Sequence, residues 1–92
     1  MKRVHLVISG RVQGVYFRQS SLEFAAGMGL DGWVRNRPDG TVELVAQGSS
    51  EDLERLVKWC HVGPTAAKVS ALERTDAEPV SLPAGFHIRP TG

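Results

Sequence analysis

The spacing of apolar residues changes period along this chain, and that alternation limits its possible folds more than any other feature. Val4, Leu6 and Ile8 recur every second residue, the repeat of a strand with one apolar face. Ser21, Phe24, Ala25 and Met28 recur at i, i+3, i+4 and i+7, with Leu22 beside them and Glu23 opposite, the stripe of an amphipathic helix. Ser20 or Ser21 is its expected cap and Gly29 its end. Residues 33–37 and 41–47 read as two strands joined at Pro38-Asp39-Gly40, where proline presets one torsion and glycine accepts positive φ. Ser49, with Asp52 three residues on, opens a second helix whose stripe is Leu53, Leu56, Val57 and Cys60. Gly63-Pro64 stops it. A strand over 67–74, an irregular connection over 76–85 with Pro79 and Pro83, and a short strand over 86–88 complete the chain.

The order is β-α-β-β-α-β with one short strand appended. It predicts an α+β fold, a ferredoxin-like βαββαβ sandwich with two helices on one face of an antiparallel-rich sheet. At 92 residues, with no repeat and no linker, a single domain over 1–92 is expected.

Composition narrows the function. No apolar run approaches the roughly 20 residues that span a membrane, and the five-residue run after Lys2-Arg3 is too short for a signal peptide. A single cysteine, Cys60, excludes an internal disulfide framework and a multi-cysteine metal site, and a cytoplasmic location is expected. The net charge of +1 argues against a strongly basic nucleic-acid binder. Charge is nonetheless uneven. Residues 1–37 carry six basic and two acidic side chains, residues 38–92 five and eight. The basic side chains of the first third are mostly arginines, whose planar forks suit carboxylates and phosphates.

Two places can carry chemistry. The stretch from Gly10 to Arg18 joins the first strand to the first helix, and backbone N–H groups in a glycine-containing turn can converge on an anion beneath an arginine fork. The same residues also suit a plain strand-to-helix connection. Asn36 ends the second strand on the sheet edge where that loop begins, with one strand between them, about 10 Å away. It can orient a polar ligand or simply precede the turn. His5, His61 and His87 are scattered and suggest neither a nucleophile–base pair nor a metal cluster. Trp33, Trp59 and Cys60 read as packing residues.

Ile8-Ser-Gly-Arg-Val-Gln-Gly-Val-Tyr-Phe-Arg18 and Gly32-Trp-Val-Arg-Asn-Arg-Pro-Asp-Gly-Thr-Val42 resemble the two signatures of the acylphosphatases. The resemblance extends through Trp59, Gly63-Pro64, Val69 and Phe86-His87-Ile88, and only the tail Pro90-Thr91-Gly92 departs from it. It implies hydrolysis of the carboxyl–phosphate bond of small acyl phosphates, with no cofactor and no metal. It implies that Arg18 binds the phosphoryl group with the amides of Arg11, Val12, Gln13, Gly14, Val15, Tyr16 and Phe17, and that Asn36 holds the attacking water. A monomer acting on a small molecule, without nucleic acid or membrane, is expected. An RNA-binding sheet is the competing reading, disfavoured because residues 41–47 contain no aromatic. A domain serving a larger assembly is another, disfavoured by the absence of a fusion partner in the 92 residues.

Overall fold

Strict alternation in the first strand sends Val4, Leu6 and Ile8 to one side, where all three are fully buried, and leaves His5 and Val7 on the other. The computed structural model describes residues 1–92. Its elements are β1 (Lys2–Arg11), α1 (Phe17–Gly27), β2 (Asp31–Asn36), β3 (Val42–Gly48), α2 (Ser50–Cys60), β4 (Lys68–Ala77) and β5 (Phe86–Ile88). They form the expected α+β sandwich. One five-stranded sheet runs in the order β4-β1-β3-β2-β5, antiparallel except for the parallel pairing of β5 with β2.

The apolar faces of β1, β2 and β3 meet Phe17 and Ala25 of α1 and Leu53, Leu56, Val57 and Cys60 of α2 in one cluster of 17 buried residues. Burial pushes the Cys60 thiol up to about 12, as befits a small core residue rather than a nucleophile. Trp59 packs between the helices, its ring centroid 5.4 Å from those of both Phe17 and Phe24. α2 begins as its sequence predicts, with Ser49 Oγ accepting the Asp52 N–H at 3.2 Å and Glu51 and Asp52 in the first turn.

α1 does not begin at Ser20 or Ser21. It starts at Phe17, after Tyr16, and no side chain caps it. Ser21 is fully buried on the core side of the helix, and its hydroxyl donates to the Arg18 carbonyl at 2.8 Å. A serine satisfied within its own turn is free to occupy the buried stripe. β4 also runs three residues beyond its expected end, because β1 offers partners as far as the Arg3–Ala77 pair.

Candidate active site

Gly10 belongs to β1 rather than to the loop. It sits at a bulge against β4 with φ +117°, where an added Cβ would lie 2.7 Å from the Ser70 nitrogen. Arg11 closes the strand opposite Lys68. The loop proper is 12–16. Val12 and Val15 turn into the core and anchor it. Between and after them, Gly14 (φ 72°) and Tyr16 (φ 67°) are left-handed, with Val15 at negative φ. Such alternation turns successive N–H groups toward a common side, the geometry of an anion nest. None of the backbone N–H groups from residue 12 to residue 19 donates to a protein acceptor. The uncapped first turn of α1 therefore continues the same run of free donors.

Asn36 ends β2 on the core side, in register with Val42, which itself pairs with Ile8. That row carries the sheet from the end of β1 across β3 to Asn36. Asn36 Oδ1 is buried and accepts no hydrogen bond, a condition that costs about 1–3 kcal/mol. Asn36 itself lines a cavity of about 410 Å³. The polar lining comes from Gly14, Arg18, Gln19 and Asn36, and the apolar lining from Val12, Tyr16, Phe17 and Ile88. Arg18 has no carboxylate partner, whereas Arg35 and Arg37 each have one and Arg55 and Arg74 each have two.

The structure thus brings Val12, Gly14, Tyr16, Phe17, Arg18 and Asn36 to one cavity. It leaves Arg11, Gln13 and Val15 outside the lining. Gln13 has a different position: its amide nitrogen reaches the carbonyls of Arg37 (2.8 Å) and Thr41 (2.9 Å), tying the loop to the β2–β3 hairpin. Reading the sequence did not single out that side chain, nor Ile88, which arrives because β5 lies parallel beside β2. A half-buried glutamine between two turns leaves no periodicity to detect.

The opposite sheet face carries an ionic cluster. Glu43 accepts from Arg35 Nε at 2.8 Å and pairs with His5 Nε2 at 2.7 Å. Burial pushes the Glu43 carboxyl up, but His5 and Arg35 outweigh it and hold the group below its ordinary value. The guanidiniums of Arg35 and Arg89 lie 5.2 and 4.5 Å from the Trp33 ring. His5 lies on β1, His61 just after α2 and His87 on β5, and no three His, Cys, Asp or Glu side chains converge on a point.

Comparison with known proteins agrees with this fold. The acylphosphatase family model matches residues 4–88. The chain is 51% identical over 89 residues to an acylphosphatase of Rubrobacter xylanophilus, covering 96% of this chain and 80% of that protein. It is 53% identical over 73 residues to one of Methylococcus capsulatus, covering 79% of each. The crystal structure of the acylphosphatase from Bacillus subtilis superposes with a TM-score of 0.93 at 34% identity, over 97% of this chain and 99% of that one.

Proposed function

Since the chain belongs to the acylphosphatase family, whose substrates are small acyl phosphates, we propose that Arg18, the amides of the 11–18 loop and Asn36 carry its reaction. The chain is an acyl phosphate hydrolase. The chemistry it faces is easier than that of most phosphatases. An acyl phosphate expels a carboxylate, whose conjugate acid has a pKa near ~4 by analogy with side-chain carboxyls. Such a leaving group needs no general acid. What remains is to hold a multiply charged phosphoryl group and to aim water along the line of its breaking bond.

The Arg18 fork and the free loop amides bind the phosphoryl oxygens and stabilise charge as the bond to the acyl oxygen breaks. Asn36 Oδ1 accepts a hydrogen bond from the attacking water and orients it, since a carboxamide is a negligible base. Water oxygen bonds to phosphorus, the acyl oxygen leaves with its electron pair, and the water proton passes to a phosphate oxygen. The products are a carboxylate and inorganic phosphate.

The observation that carries this reading is that Arg18 and Asn36, from separate elements, line one cavity beside a run of backbone N–H groups that donate to no protein acceptor. With no protein donor on its oxygen, the Asn36 carboxamide is free to turn and meet a water in that cavity. Hydrolysis of acetyl phosphate by wild type, Arg18→Ala and Asn36→Ala, with a phosphate monoester as control, tests it. Loss of acetyl phosphate hydrolysis in both variants, with negligible monoester hydrolysis throughout, is expected. Strong monoester hydrolysis would undermine the leaving-group argument.

The same reading includes a single-domain monomer of the cytoplasm that binds no nucleic acid. One contiguous core supports the first point. The last is supported by a net charge of +1 and by a Trp33 ring occupied by arginines rather than free to stack bases.

A further inference from the structure

The geometry points to an acyl-group subsite formed by Tyr16 and Ile88, which makes this enzyme selective for acyl phosphates with an apolar, ring-sized acyl group. The inference rests on the function proposed above and concerns the part of the cavity that the phosphoryl group does not use.

Five large hydrophobic side chains are exposed in the whole molecule, and two of them, Tyr16 (68%) and Ile88 (39%), line this one cavity. They come from opposite ends of the chain, one from the loop before α1 and the other from β5. Tyr16 is the only non-glycine residue with positive φ, a conformation that is strained for a bulky residue. Glycine would hold the same backbone without that strain. The tyrosine does not cap the helix with its side chain. The ring is thus held at the mouth of the cavity by a strained backbone, with no structural partner that explains it.

The polar lining points the same way. Arg18 is the one charged side chain of the cavity, and the phosphoryl group takes it. Gln19 lines the cavity as a neutral group, its amide nitrogen donating to Glu23 at 3.1 Å. No carboxylate lines the cavity, and no further cation is present to receive a second negative charge. An acyl group bearing an amine or a second carboxylate finds no counter-charge there. A planar apolar one finds Tyr16 on the loop side and Ile88 on the sheet side.

The test is the ratio of kcat/KM for benzoyl phosphate to that for acetyl phosphate, in wild type, Tyr16→Gly and Ile88→Thr. Glycine suits the positive φ and threonine the strand, so both variants keep their local backbone preferences. The intrinsic difference between the two leaving groups cancels when variants are compared with wild type. Each substitution is expected to lower the ratio about tenfold, through KM for benzoyl phosphate. That corresponds to about 1.4 kcal/mol, which roughly 50–60 Å² of buried apolar surface supplies. A ratio within twofold of wild type in both variants overturns the subsite. Wild type that hydrolyses neither substrate overturns the function on which the subsite rests, and the subsite with it.

Discussion

The side-chain amide of Gln13 donates to the backbone carbonyl of Arg37 at 2.8 Å, and the same nitrogen reaches the Thr41 carbonyl at 2.9 Å. One side chain therefore spans the two segments that the proposed reaction must hold in register: the loop leading to Arg18 and the hairpin that begins just after Asn36. Arg37 and Thr41 are themselves joined by a backbone hydrogen bond of 2.9 Å, so the hairpin neck is stiff and the glutamine fixes the loop to it.

Gln13→Ala is expected to cost about 1–2 kcal/mol of stability, two hydrogen bonds at about 1 kcal/mol each. It is also expected to lower kcat by about tenfold or more, since misplacement by an ångström disrupts in-line attack. Urea denaturation and steady-state kinetics read the two effects separately. Full kcat in a destabilised variant would reduce Gln13 to a purely structural role.

Asn36→Ala is expected to separate function from stability. It removes a buried acceptor that has no partner, so the variant should be as stable as wild type or about 1 kcal/mol more stable. Its kcat should fall by about 100-fold or more, while inhibition by inorganic phosphate changes little. Thermal denaturation together with phosphate inhibition checks both halves.

These two residues show how far the sequence is legible. Hydrophobic periodicity leads to β1, β3, α2 and the order of elements, because alternation and helical stripes are local. The cap of α1 misleads: Ser20 and Ser21 have the chemistry of caps, but Tyr16 takes the left-handed backbone and Ser21 goes into the core. Sharing of one cavity by Arg18 and Asn36 is suggested by β-α-β topology alone. The Gln13 clamp, the orphaned Oδ1 of Asn36 and the arrival of Ile88 depend on contacts between distant segments, which no window of neighbouring residues encodes.

The glycines of the first signature should differ sharply in tolerance. An alanine Cβ at Gly10 would meet the β4 backbone, 2.7 Å from Ser70 N, so Gly10→Ala should cost about 3 kcal/mol or more by prising the edge strand away. Gly14 has open space around it and only its positive φ of 72° to oppose a side chain. Gly14→Ala should cost about 1 kcal/mol. Denaturation midpoints of the two variants decide the order.

Acid should weaken the fold partly through Glu43. Its carboxyl titrates below the ordinary 4.5 in the folded protein, because His5 and Arg35 outweigh the effect of burial. A depressed folded pKa means that the associated stability is present above the unfolded pKa and is lost as pH falls through the folded one. Glu43→Gln should therefore cost about 2 kcal/mol at pH 7, and the difference from wild type should shrink steadily below pH of about 4.5. Chemical denaturation at a series of pH values measures the gap, and a gap independent of pH would assign the acid limb to other groups.

Arg18 bears the central claim, that one guanidinium and a run of backbone amides replace the metal or nucleophile of other phosphatases. The most direct measurement is acetyl phosphate hydrolysis by Arg18→Ala beside wild type, with inhibition by inorganic phosphate measured in parallel. The account predicts a fall in kcat/KM of about 1,000-fold, at the upper end for a single preorganised donor because this one is charged, together with loss of phosphate inhibition. A variant that retains activity within tenfold of wild type and still binds phosphate would contradict it.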